Sequence, residues 1–146
     1  VGSDSVDTLE ASDFTKAMLD RRGNTAVYLL YAGARIAAIT RKSGVDVEAL
    51  AADPSAVLKL DHPNELALGR HLLRFQDVIE LAMRDLAPNY ICDFVYELAE
   101  KFSAFYRECQ VVGSPEQSSR LLICRATQMA MKRCFDLLGI GYLDRI

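Results

Sequence analysis

Several residue types and patterns are scarce or missing in this sequence, and each absence excludes a class of protein. There is no tryptophan, the two histidines lie nine positions apart, and no two of the four cysteines form a CxxC pair. Zinc sites need clustered ligands, so a metal centre is not expected. Charges interrupt every apolar stretch, and we therefore predict neither a membrane-spanning helix nor a membrane partner.

Catalytic signatures are missing as well. The phosphate-binding loops GxGxxG and GxxxxGK[ST] and the GxSxG turn of serine hydrolases do not occur. Asp61 and His62 are adjacent, as in an acid–base pair, but they directly precede Pro63, which favours helix capping. The residues themselves therefore predict no catalytic group and no cofactor in this chain.

The composition is that of one globular domain, with 51% hydrophobic and 25% charged residues among 146. The net charge of −3 is unevenly spread, since residues 1–20 carry −4 and residues 120–146 carry +3. A weakly basic C-terminal half permits an RNA partner. We assign residues 1–12 to a linker or leader and residues 13–146 to the folded domain. Cysteines at helical positions are expected to be free and buried in a reduced, intracellular protein, namely Cys92, Cys109, Cys124 and Cys134.

The apolar spacing is helical along the chain, and no alternating strand pattern occurs. It predicts an all-α bundle of about four long helices plus short helical segments. The long helices are expected at 24–42, from 63 towards Pro88, near 90–109 and at 117–138, and the short ones at 13–19 and 47–52. The second long helix carries a seam, a line of apolar residues spaced three and four apart from Leu68 to Leu86. The third long helix is expected to bury Ile91, Phe94, Val95, Leu98, Phe102, Phe105 and Cys109. The fourth is expected to bury Leu122, Ala126, Met129, Ala130, Cys134 and Leu137.

The first long helix carries an aromatic and basic stripe. At about 100° per residue, Tyr28, Tyr31 and Arg35 fall within a narrow arc that Lys42 extends. Phenol rings and guanidinium planes suit stacking on unpaired bases and holding phosphates. Alternatively, both tyrosines cap the core with their hydroxyls in water. The stripe alone leaves both interpretations open.

Four segments in order carry a resemblance to a known family: GNTAVYLLYAGARI, HPNELALGRHLLRFQDVI, YICDFVYELAEKFSAFY and RLLICRATQMAMKRCFDLLGI. Together they resemble the all-helical DALR-type anticodon-binding domain of arginyl-tRNA synthetases. The wording GNTAVYLLYA is most similar to the eukaryotic cytoplasmic form, and a cytoplasmic location is the corresponding expectation. The resemblance extends from about residue 13 to residue 146.

The resemblance implies that three tyrosines, Tyr28, Tyr31 and Tyr106, lie where the anticodon loop docks. Ile146 stands where the family commonly has a methionine that approaches the loop, and Gly33 stands where the family often has an aromatic residue or histidine. Gly33 therefore indicates either close packing or a lost contact. Among the cations, Arg35 is assigned to the anticodon surface and, with Lys42, to loop phosphates, whereas Arg120, Arg125 and Arg133 are phosphate candidates by charge alone.

The same resemblance implies a parent protein that charges tRNA-Arg with arginine at the expense of ATP. ATP and arginine belong to a catalytic domain that has no counterpart in this chain, so the chain itself would supply recognition. Its expected partners are tRNA-Arg, that catalytic domain and other synthetases. Two alternatives remain. One is a stand-alone tRNA-binding adaptor, and the other is a protein-interaction module of a synthetase assembly, which would dock through an exposed apolar seam such as Tyr90 with Val95 or through the apolar tail Ile140–Ile146.

Overall fold

The computed structural model describes residues 26–143. The helices of this range are α1 (Ala26–Ser43), α2 (Val47–Ala52), α3 (Pro63–Leu73), α4 (Phe75–Asp85), α5 (Asn89–Glu108) and α6 (Gln117–Leu138). No strand occurs between residues 26 and 143, and the all-α prediction is confirmed. The leader, the short helix expected at 13–19 and Ile146 lie outside the described residues. Within 26–143, no helix has the length and apolar character needed to cross a membrane.

Local capping signals set most helix ends. Gly44 follows α1 with a φ of 66°, the left-handed conformation expected of a helix stop. Pro63 begins α3, and the residue that caps this helix is His62 rather than Asp61. Its Nδ1 accepts a hydrogen bond from the Asn64 amide at 3.1 Å, while Glu65 accepts one from the His62 amide at 3.0 Å. These two bonds satisfy backbone donors that the first turn would otherwise leave unpaired.

The second long helix was predicted as one element, and this is wrong because it is broken at Arg74 into α3 and α4. The Arg74 amide donates to the His71 carbonyl in a tight turn, with φ −78° and ψ −7°. The seam also ends differently, since Leu86 is 89% exposed and caps α4 with a φ of 51°. Apolar residues spaced three and four apart look the same on both sides of a one-residue break, which explains the error.

Helix α5 forms the centre of the bundle and contacts α1, α3, α4 and α6. The buried face predicted for it is confirmed, and Phe102 and Phe105 are completely enclosed. Val95 is fully buried as well, so the expectation of an exposed seam of Tyr90 with Val95 is wrong. Because α5 contacts helices on several sides, it forms the wall along which α1 packs.

The buried face predicted for α6 is mostly wrong. Leu122 is half-buried and Ala126, Met129 and Leu137 are exposed, whereas Ala130 and Cys134 are buried as expected. The buried residues are Ser119, Leu121, Ile123, Cys124, Thr127, Ala130, Met131, Cys134 and Phe135. Helix α6 has apolar residues on most of its sides, so spacing alone does not select the face that packs.

One of the four cysteines also departs from expectation, because Cys92 is exposed while Cys109, Cys124 and Cys134 are buried. All four are free thiols. Burial raises the pKa of Cys124 and of Cys134 to about 12, which keeps both thiols protonated and unreactive near neutral pH.

Candidate nucleic-acid interface

An arginine lies between two tyrosines where α1 runs beside the C-terminal half of α5. The Arg35 guanidinium carbon is 4.8 Å from the ring centroid of Tyr31 and 4.9 Å from that of Tyr106. Arg35 also donates a hydrogen bond to the Tyr31 hydroxyl at 3.3 Å. A cation at this distance from a ring face is held by the ring's quadrupole. The structure therefore brings together three of the residues assigned to the anticodon surface.

The two rings of this cluster remain open to solvent, with Tyr31 39% and Tyr106 43% exposed. Tyr28 differs, because it is half-buried and its hydroxyl lies 3.3 Å from the Ser103 hydroxyl on α5. Its ring also packs 5.9 Å from that of Tyr96. Tyr28 thus joins α1 to α5 and packs at the edge of the core, with its hydroxyl against Ser103 rather than in water as the core-capping interpretation expects, whereas Tyr31 and Tyr106 present aromatic surface outward.

Two hollows meet at Arg35. The smaller, of about 280 Å³, is lined by Tyr28, Tyr31, Ala32, Arg35 and Ser103. The larger, of about 650 Å³, lies between α1 and the end of α5 and includes Arg35, Lys42, Tyr106, Arg107 and Glu108. Arg107 lies 3.7 Å from Glu108, whereas no carboxylate among the described residues forms an ion pair with Arg35 or Lys42. The larger hollow therefore combines an aromatic ring with three cations and the carboxylate of Glu108, and Arg35 and Lys42 are the cations whose charge is available to an anion.

Arg120 lies in a different setting, inside the bundle. Its side chain is 14% exposed and donates to Glu65 at 2.6 Å and to the Gln110 carbonyl at 2.7 Å. Burial acts to raise the pKa of Glu65, but hydrogen bonds from the His62 amide and from Arg120 outweigh it and leave the pKa below its ordinary value. Arg120 thus neutralises an internal carboxylate, and we leave it out of the interface.

The other two phosphate candidates also lie away from the Arg35 hollows. Arg125 forms a bidentate ion pair with Glu48, in which its Nη2 donates to Oε2 at 2.6 Å and its Nε donates to Oε1 at 2.8 Å. This pair links α6 to α2. Arg133 is exposed beside an apolar hollow of about 350 Å³ that includes Phe75 and Met129. Neither lines the hollows at Arg35.

Sequence reasoning missed two features near this surface. Arg107 lines the larger hollow, and its only signal in the sequence is that it follows Tyr106. Tyr142, which no pattern singled out, packs against Gly33, and its hydroxyl donates to the Gly33 carbonyl at 3.1 Å. Of the two explanations left open for Gly33, close packing is the one that the structure shows.

A helical bundle that presents tyrosines and cations from two helices on one face has the residue types that RNA-binding domains use to stack on bases and to contact phosphates. Comparison with known families makes this assignment specific. The family model of the DALR anticodon-binding domain matches residues 29–146, and the chain belongs to this family. The resemblance carried by the four sequence segments is thereby confirmed.

Individual relatives agree with the family assignment. The chain is 54% identical over 129 residues to the chloroplastic/mitochondrial arginine–tRNA ligase of Arabidopsis thaliana, covering 88% of this chain and 20% of that protein. It is 52% identical over 123 residues to the cytoplasmic arginine–tRNA ligase of the same plant, covering 84% and 20%. The crystal structure of arginyl-tRNA synthetase from Plasmodium falciparum superimposes with a TM-score of 0.78 at 33% identity, covering 88% of this chain and 22% of that one. The chain thus spans about a fifth of the length of these relatives.

Proposed function

We propose that this chain is the anticodon-binding part of an arginine–tRNA ligase and binds tRNA-Arg through the surface around Arg35. The observation that carries the proposal is the placement of Arg35 between the exposed rings of Tyr31 and Tyr106. Unpaired anticodon bases can stack on such rings, and each stacked base contributes about 1–3 kcal/mol. Tyr28 supports the surface from beneath by linking α1 to α5.

Loop phosphates are assigned to the larger hollow. Lys42 and Arg107 line it together with Arg35, so a nucleotide stacked on Tyr106 would have cations beside its backbone. A contact from Ile146 stays a prediction, because this residue lies outside the described range.

The reaction itself is assigned to a separate catalytic domain that binds ATP and arginine. This chain corresponds to about a fifth of each ligase that it resembles, which supports a division between recognition here and catalysis elsewhere. The proposed partners are tRNA-Arg and that catalytic domain, and association with other synthetases stays a prediction.

We further propose that the protein resides in the cytoplasm. The free buried thiols Cys109, Cys124 and Cys134 support a reducing compartment. Because similar ligases include both a cytoplasmic and an organellar one, the direct test is imaging of the tagged full-length gene product.

The decisive experiment is a titration of the chain with tRNA-Arg at fixed salt. Tyr31→Ala should weaken binding by about tenfold or more, since it removes one stacking platform. Tyr90→Ala makes the same chemical change at the far end of α5 and should leave the affinity unchanged. Circular dichroism should confirm that both variants are folded at the temperature used.

The outcome separates the proposal from its alternatives. Equal affinity of wild type and Tyr31→Ala would exclude the assigned surface. Loss of discrimination against an anticodon-substituted tRNA, with affinity retained, would favour a tRNA-binding adaptor. Absence of any tRNA binding by the wild-type chain, with capture of a defined synthetase, would favour an interaction module.

A further inference from the structure

Gly33 forms a notch in the middle of α1 that one aromatic ring fills. A Cβ atom at this position would lie 2.8 Å from Cε2 of Tyr142 and 2.9 Å from its Cζ and hydroxyl oxygen. The Tyr142 hydroxyl donates to the Gly33 carbonyl at 3.1 Å. Glycine is unfavourable inside a helix, so the space for this ring gives a physical reason for its presence.

The ring of Tyr142 is itself held by α6. Its centroid lies 5.6 Å from that of the enclosed Phe135, and the Lys132 ammonium lies 4.9 Å from the same ring. Gly139, with a φ of 70°, ends α6 and turns the chain back, and the Ile140 amide donates to the Phe135 carbonyl at 2.9 Å. The segment from 139 to 142 therefore fastens the end of α6 to α1.

This attachment lies opposite the aromatic surface. At about 100° per residue, Gly33 points roughly 160° away from Tyr31 around α1. On the other side, Tyr28 contacts Ser103 and Arg35 lies over Tyr106. Helix α1 is thus held on two faces, and a change at the notch would alter how it presents Tyr31 and Arg35.

We propose that Tyr142 is a positioning residue for RNA recognition, which sets the rotation of α1 by filling the Gly33 notch. This inference rests on the proposed tRNA-binding function, because Tyr142 acts through Tyr31 and Arg35 rather than by touching RNA. It predicts that residues 33 and 142 are coupled both in stability and in binding.

The stability test measures the effect of Gly33→Ala with and without the Tyr142 ring. In the wild type, the new methyl group collides with the ring, so the melting temperature should fall. In a Tyr142→Ala background the collision is absent and alanine is the better helix former, so the same change should raise it. A change in melting temperature of the same sign in both backgrounds would contradict the proposed coupling between Gly33 and Tyr142.

The binding test uses the 146-residue chain and tRNA-Arg at a temperature where every variant is folded. Tyr142→Ala should weaken binding about three- to tenfold, while Tyr142→Phe, which keeps the ring, should bind nearly as wild type. Tyr31→Ala should then cost less in the Tyr142→Ala background than in the wild type. A residue that only stabilises the fold would lower the melting temperature without this coupling.

Two failures can be told apart. If Tyr31→Ala weakens binding normally but its effect is independent of residue 142, the positioning role is wrong and the proposed function stands. If Tyr31→Ala has no effect in the wild type, the proposed function fails and the role of Tyr142 in RNA binding fails with it.

Discussion

Arg35 and Arg120 belong to the same bundle but lie in opposite settings. Arg35 lies near the surface over two exposed tyrosine rings and forms no ion pair with any carboxylate of residues 26–143. Arg120 is 14% exposed and bonds to Glu65, whose side chain is 2% exposed. The charge of Arg35 is available to a ligand, whereas the charge of Arg120 is neutralised by Glu65 within the fold.

A positively charged residue indicates a nucleic-acid site only when it is known whether a carboxylate of the same protein neutralises its charge. Removing one partner of a buried pair leaves an uncompensated charge, which is strongly destabilising. An arginine held by ring faces and one exposed hydroxyl, as Arg35 is, can exchange those contacts for a phosphate or a base at little cost to the fold.

The largest effect is expected at the buried pair. Arg120→Met should lower the free energy of unfolding by about 3 kcal/mol, because Glu65 stays buried without its cation. Urea denaturation measures this change. The affinity for tRNA-Arg, measured below the transition, should be unchanged. A loss below about 1 kcal/mol would place the pair among ordinary surface salt bridges and weaken the contrast.

The reverse result is expected at the surface. Arg35→Ala should reduce affinity for tRNA-Arg about tenfold, which is about 1.4 kcal/mol. Its free energy of unfolding should fall by no more than about 1 kcal/mol, since only ring and hydroxyl contacts are lost. Arg133→Ala is the charge-matched control and should bind as wild type. Equal losses in both variants would indicate a general electrostatic effect instead of a local site.

The buried carboxylate of Glu65 should make the free energy of unfolding depend on pH in the acid range. The pKa of Glu65 in the folded protein lies below its ordinary value of 4.5. As the pH falls below 4.5, Glu65 is therefore protonated more readily in the unfolded chain than in the folded protein. The stability from this group is complete above about pH 5 and is lost as the pH falls through the folded pKa. Urea midpoints at about pH 6 and about pH 3 should differ less for Glu65→Gln than for wild type. An identical pH dependence would show that neither the His62 amide nor Arg120 stabilises the ionised form of Glu65.

The smallest effect is expected at Arg125. Its partner Glu48 is 75% exposed and the pair is screened by water, so Arg125→Ala should lower the urea midpoint only slightly. The variant should keep the wild-type affinity for tRNA-Arg and the same dependence on salt. A flatter salt dependence would instead return Arg125 to the phosphate contacts.

Local signals predicted much of the fold. Gly44 and Pro63 set helix boundaries through backbone conformation, and the apolar face of α5 was evident because its other face is polar. The break at Arg74 and the packed face of α6 were not predictable, since their periodicity fits more than one arrangement. Both depend on which neighbouring helices supply the contacts.

The candidate site divides in the same way. The stripe of Tyr28, Tyr31 and Arg35 follows from helical geometry within one segment, and the family resemblance added Tyr106. That the Arg35 guanidinium lies between the rings of Tyr31 and Tyr106 depends on how α1 packs on α5. The packing also separates Tyr28, which joins helices, from Tyr31, which faces solvent.

The sequence by itself determined an all-helical domain, its family and the helix that carries the aromatic stripe, because these depend on periodicity, capping and motifs within short segments. Only the tertiary structure decided that Arg120 belongs to an internal ion pair and that Gly33 makes room for Tyr142. Each of these contacts joins residues from distant parts of the chain. Their energies depend on burial and distance, which arise only when the helices pack.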